Sequence, residues 1–143
     1  MKSKQQTAKK FIWIEIKHGD DLLKTISDFC LENNIKNGLI FAIGALQKAE
    51  IGYYHQQDKT FGENLINEPT EIVSCLGNVS LKEGKPFVHA HISVADKRGN
   101  VLGGHLNPGC VVFACECLII HLEGGQLTRN LDERTGLSLW DFS

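Results

Sequence analysis

Three histidines carry the plainest chemical signal in this sequence. His89 and His91 are separated by one residue in Pro86-Phe87-Val88-His89-Ala90-His91-Ile92-Ser93-Val94-Ala95, and His105 follows a turn-like stretch. Side chains alternate along a strand, so His89 and His91 share one face while Val88, Ala90, Ile92 and Val94 form an apolar opposite face. Asp96 to Asn100 supplies a turn, and a three-residue loop, Lys97-Arg98-Gly99, puts Gly99 at the left-handed position such hairpins favour. That loop sets Asp96 opposite Asn100, and so His91 opposite His105, on one face with Cβ atoms about 4.5–5.5 Å apart. A register shifted by two sets His89 opposite His105 and still keeps all three together, whereas an odd shift turns His105 away. Gly103-Gly104 lets another backbone approach closely, or bends the strand there. Three imidazoles so placed reach one ion through bonds of about 2.0–2.1 Å and leave a fourth position open, as catalytic zinc sites do. The alternative is a set of hydrogen-bonded histidines on a half-buried strand face. Zinc is the expected ion, and other divalent transition metals also suit imidazole ligands.

The remaining reactive residues signal less. Cys115 and Cys117 share a strand face, but their spacing is not that of a zinc knuckle, and small thiols are common core fillers. His121 reads as a structural histidine, and His18 and His55 as surface residues. Glu116 interrupts the apolar run Val111 to Ile120; a buried carboxylate needs a partner, so it is either an edge residue or a site residue. Gly103-Gly104 is no phosphate loop, because no helix follows it.

The elements that must hold the histidines follow from hydrophobic pattern. Phe11 to Ile16 reads as a strand. From Asp20 the apolar positions Leu22, Leu23, Ile26, Phe29 and Cys30 form a helical stripe, with Asp20 or Asp21 as its cap and Asn33-Asn34 at its end. Leu39 to Leu46 and Ala49 to Tyr54 read as strand-like runs, and His55 to Pro69 as an exposed polar loop. Further strands are expected at 71–81, 86–95, 101–106 and 110–122, before a tail over 127–142 that turns at Thr135-Gly136. One helix followed by many strands argues for an α+β domain with a mainly antiparallel sheet. The expected organisation is a flexible basic N-terminus over residues 1–10 and a single domain over 11–143.

Bulk properties narrow the function. The 143 residues fit one domain, and 42% are hydrophobic, enough for a core without staples. Fifteen Lys plus Arg against 17 Asp plus Glu give a net charge of -2, the opposite of the basic excess usual in a nucleic-acid binder that relies on phosphate contacts. The only basic cluster is Lys2, Lys4, Lys9 and Lys10. Five cysteines, an odd number, with no segment resembling an export signal or a membrane span, point to a reducing compartment, the cytoplasm.

From Pro86 to Gly109 the text Pro-Phe-Val-His-Ala-His, an Asp-x-x-Gly turn and Gly103-Gly104-His105-Leu106-x-x-Gly109 resembles the PPC (plants-and-prokaryotes conserved) domain family. Softer likenesses cover the Gly44-Ala45 turn, Gly77-Asn78-Val79-Ser80, Thr128-Arg129, Asp132 and Thr135-Gly136-Leu137. The resemblance implies an α+β domain assembling as a homotrimer, with a metal held by His89, His91 and His105. The fold and histidine pattern are more distantly similar to acetolactate decarboxylase, a metal enzyme, but a shared fold does not fix a reaction. The plant members carry an AT-hook that contacts DNA; this chain shows none, so tight DNA binding is not expected of it. The readings that remain are a metal-dependent enzyme or small-molecule binder, a DNA-associated regulator, and a structural interaction module. Glu116, Arg129 and Arg134 are the candidate helpers of the metal, and no catalytic base can be named.

Overall fold

In a computed structural model describing residues 1–142, Asp21 opens the one helix found among those residues, α1 (Leu22–Glu32). Its side chain accepts a hydrogen bond of 2.8 Å from the Lys24 amide, satisfying one of the first-turn donors that have no partner within the helix. Leu22, Ile26 and Cys30 are the fully buried part of the apolar stripe, and Asn33 caps the far end.

Among the described residues nine strands build one sheet: β1 (Gln6–Ile16), β2 (Gly38–His55), β3 (Thr60–Ile66), β4 (Thr70–Lys82), β5 (Lys85–Ala95), β6 (Val101–Leu106), β7 (Val111–Gly124), β8 (Thr128–Asp132) and β9 (Leu137–Asp141). All pairings are antiparallel except β4 with β8. The expected α+β architecture, with one helix and a mainly antiparallel sheet, is therefore the observed one. Among the described residues no helix is long and apolar enough to cross a membrane.

β2 organises the rest. The two strand-like runs expected at 39–46 and 49–54 are one long strand, irregular at Ala42/Gly44 and again between Ala45 and Lys48. Its first half lies between β4 and β7, and its second half pairs with β3 and, through Ile51 and Gly52, with β6. Because β4 pairs β5 and β5 pairs β6, the strands β2, β4, β5 and β6 close into a ring. Gly104 makes the closure possible: a Cβ there would lie 2.4 Å from the Gly52 carbonyl oxygen and 2.6 Å from Ile51 Cγ2. The close backbone approach expected at Gly103-Gly104 is thus made by β2.

α1 packs against one face of the sheet. Its buried residues join Ile40, Val79, Val88, Ala90, Ile92, Val94, Leu106, Val112 and Ile119 in one core. Burying this apolar surface is the main favourable term in folding. It also fixes β5 with its even-numbered residues inward and its histidines outward.

Two expectations need correcting. Residues 55–69 are not all loop, since β3 forms a hairpin with β2 from His55↔Thr60 to Ala49↔Ile66. Most of β3 is exposed, and a strand with no buried face lacks the alternation by which strands are read from sequence. The first strand begins at Gln6 rather than Phe11 and pairs β7 up to Gly124, so Gln6 to Lys10 belong to the sheet, not to a free basic segment. Lys9 lies 3.2 Å from Glu123, and the Lys4 ammonium donates to the Gln126 carbonyl oxygen at 3.0 Å.

Candidate metal centre

The alternation along β5 is fully expressed: Val88, Ala90, Ile92 and Val94 are buried, while His89 is half-buried and His91 exposed. The β5–β6 turn is held by Asp96, whose carboxylate accepts from the Arg98 amide at 2.7 Å and the Asn100 amide at 2.9 Å. Its bond from the Asn100 side chain (2.9 Å), with those amide bonds, holds its carboxyl below the usual carboxylate range. Gly99 takes the left-handed backbone expected of it, at φ +81°. This turn fixes the register, and His91 stands directly opposite His105.

The three rings converge. Ring centroids are 5.2 Å apart for His89–His91, 5.0 Å for His89–His105 and 5.6 Å for His91–His105. One nitrogen from each lies within 4.8 Å of the others. Nitrogens sharing a tetrahedral ion at these bond lengths sit about 3.4 Å apart, somewhat closer than the upper limit seen here. Burial first, then the Arg129 guanidinium, pushes His89 down to about 4. Burial, followed by His91 and Arg129, lowers His105 as well. Both are therefore neutral at physiological pH, the state in which imidazole offers a lone pair to a metal. The donor set fits an ion.

Arg129 is the neighbour that the sequence named without placing. It comes from β8 and is 8% exposed. Its Nε–H donates to Ser80 Oγ at 2.8 Å, Nη1 to the Ser138 carbonyl oxygen at 2.9 Å and Nη2 to Asn78 Oδ1 at 2.9 Å. The same Nη2 lies 3.4 Å from His89 Nδ1. Its guanidinium lies 5.6 Å from the ring centroids of both Phe87 and Trp140. Asn78 and Ser80 reach this face because they pair with His89 and Phe87 across β4 and β5. Their polar side chains at i and i+2 were a legible hint of an outward polar row. On the other side, the Phe61 ring lies 5.7 Å from His105; nothing in its polar surroundings on β3 signalled that contact.

The other candidates lie elsewhere. Cys115 and Cys117 are core residues, 3% and 1% exposed, and burial pushes their thiols up to about 11 and about 12. Glu116 is neither an edge residue nor part of the histidine cluster: β7 lies between β1 and β2, but this carboxylate points to the open outer side of the sheet. Arg134 is exposed in the β8–β9 turn, 3.8 Å from Asp132. His121 sits opposite Gly38 and Lys10. His18 Nδ1 lies 3.0 Å from the Phe113 carbonyl oxygen, and His55 packs on Tyr53.

A mainly antiparallel sheet packed on one helix, carrying three convergent histidines on its other face, defines a class of small domain. The chain belongs to the Plants and Prokaryotes Conserved (PCC) domain family, whose model matches residues 3–123. It is similar to the crystal structure of a metal-containing protein from Archaeoglobus fulgidus, with 41% identity over 98% of this chain and 99% of that one and a TM-score of 0.92. A plant- and prokaryote-conserved protein from Pyrococcus horikoshii is 34% identical over 99% of this chain and 97% of that one, with a TM-score of 0.93. A protein from Bacteroides thetaiotaomicron, provisionally called DNA-binding, is 25% identical over 96% of this chain and 97% of that one, at a TM-score of 0.87. Among curated proteins, the bifunctional protein GlmU of a Synechococcus strain is 31% identical over 120 residues. That match takes in 82% of this chain and only 18% of the GlmU length.

Proposed function

We propose that this protein is a metal-binding domain in which His89, His91 and His105 hold one divalent transition ion, with zinc the favoured choice. The observation that carries the reading is the direct opposition of His91 and His105 with His89 beside them, three nitrogens within 4.8 Å. The neutrality of His89 and His105 supports it, as does the metal-containing relative from Archaeoglobus. An ion bound by three imidazoles supplies Lewis acidity at its open position. The residues around it set what reaches that position: Arg129 on the β8 side, Phe61 on the β3 side and Leu76, which pairs with His91. The role is small-molecule binding or metal-dependent catalysis.

The working unit in this reading is a homotrimer, formed over the exposed apolar outer face that includes Trp13, Phe41 and Ile43. Closed symmetry is the usual outcome for self-association. Cytoplasm is the matching compartment, since the five cysteines are all free and buried.

Metal stoichiometry tests the proposal. Wild type exposed to excess zinc and desalted should retain one ion per chain by elemental analysis. His105→Ala should lose most of it while keeping its fold, and His121→Ala should retain it. Equal metal in wild type and His105→Ala rules the site out. The second reading, a DNA-associated regulator, is favoured by the label on the Bacteroides relative. Nanomolar, sequence-dependent affinity at about 150 mM salt would promote it.

A further inference from the structure

We infer that the histidine site is built to take an anion, a small carboxylate or phosphate oxyanion, with Arg129 supplying part of the countercharge. The inference rests on the metal reading above and names the ligand for that site.

The charge balance leads there. The cluster consists of three imidazoles and contains no Asp, Glu or Cys. Its members add no negative charge, unlike the carboxylates and thiolates that share the load in many zinc sites. Next to it stands Arg129, 8% exposed, with Nη2 3.4 Å from His89 Nδ1. A guanidinium keeps its proton throughout the working pH range. Every acceptor it uses is neutral: Ser80 Oγ, the Ser138 carbonyl and Asn78 Oδ1. Among the described residues no carboxylate lies in ion-pair range of it. The faces of Phe87 and Trp140 offset only part of that charge.

A buried cation is normally paired, and a divalent ion beside this one leaves three positive charges with no counter-ion among the described residues. An anionic ligand at the ion's open position supplies the missing charge. His91 is exposed, so the cluster is open to solvent on that side. Phe61 against His105, and Leu76 opposite His91, give the opening apolar borders. Small anions with an oxygen donor fit this description, and neutral ligands leave the charge standing.

The test uses full-length protein loaded with cobalt(II), whose visible bands report its coordination, and desalted. Acetate, inorganic phosphate and acetamide are titrated separately. The expected result is a saturable band shift with acetate or with phosphate and none with neutral acetamide. Which of the two anions binds more tightly assigns carboxylate or phosphate. At equal cobalt content, Arg129→Gln should weaken anion affinity by roughly tenfold or more, as removal of a nearby charge predicts. If Arg129→Gln does not fold, Arg129→Met takes its place and is read in the same way: weakened anion affinity at equal cobalt content supports the inference, and wild-type affinity overturns it. Bands indifferent to both anions, acetamide binding as well as acetate, or Arg129→Gln with wild-type affinity also overturn it. Wild type that retains no cobalt overturns the metal reading itself and removes this inference with it.

Discussion

Arg129 and Ser80 meet where neither is open to water: the Arg129 Nε–H donates to Ser80 Oγ at 2.8 Å, with Ser80 at 0% exposure and Arg129 at 8%. Ser80→Ala leaves a charged donor without its partner. That loss typically costs about 1–3 kcal/mol. Urea unfolding should show a destabilisation of this size, and a variant within error of wild type would count against this bond as an anchor of Arg129.

Acid should loosen the metal-free protein through His89. Burial, then Arg129, holds this imidazole at about 4 in the folded chain, against an ordinary 6.5. Between those values the unfolded chain binds more protons, so stability falls as pH drops. Its contribution is complete above about 6.5 and lost towards 4, and His105, also lowered, acts in the same direction. The urea midpoint should decline from neutral pH towards pH 4.5, and less steeply in His89→Gln. A variant with the same decline as wild type assigns the acid sensitivity to other groups.

Gly104→Ala should open the ring of strands. The new methyl has no room beside the Gly52 carbonyl oxygen at 2.4 Å, so β6 must move away from β2. Overpacking of this kind typically costs about 1–3 kcal/mol. Because His105 follows directly, metal retention should fall along with the melting temperature. Unchanged values of both would mean that the β2–β6 contact yields easily.

The outer face should fail as a contact once a second carboxylate joins Glu116 on it. Light scattering of wild type is expected to give three times the 15.9 kDa chain mass. Ile43→Glu, at a position 57% exposed in the single chain, should give monomers with an unchanged circular dichroism spectrum. Wild type at monomer mass at micromolar concentration rules out the trimer.

The hairpin was legible because two independent signals agreed. The alternation of Val88, Ala90, Ile92 and Val94 fixed which way the histidines face, and Gly99 fixed the turn and hence the register of His105. The helix was equally readable from Asp21 and the stripe Leu22, Ile26 and Cys30. β3 was not, since an edge strand exposed on both faces carries no burial pattern. Arg129 could be named but not placed. Its position depends on β8 pairing in parallel with β4, a contact between segments distant in sequence that no local pattern encodes. Glu116 was misread for a related reason: the run from Val111 to Ile120 looks buried on both sides, whereas only the side facing α1 is covered in the single chain.

The pairing of β1 with β7 has a kinetic consequence. Thr7 finds its partner in Glu123 and Ile16 in Cys115, so the first strand waits for a segment synthesised about a hundred residues later. Pairings this remote slow folding, because the loop must close before the contact rewards it. Until then β7 has one open edge, and β1 displays Phe11 and Trp13 without a neighbouring strand. The nascent chain therefore passes through a stage exposed to strand-to-strand misassociation, ended only when its two distant segments meet.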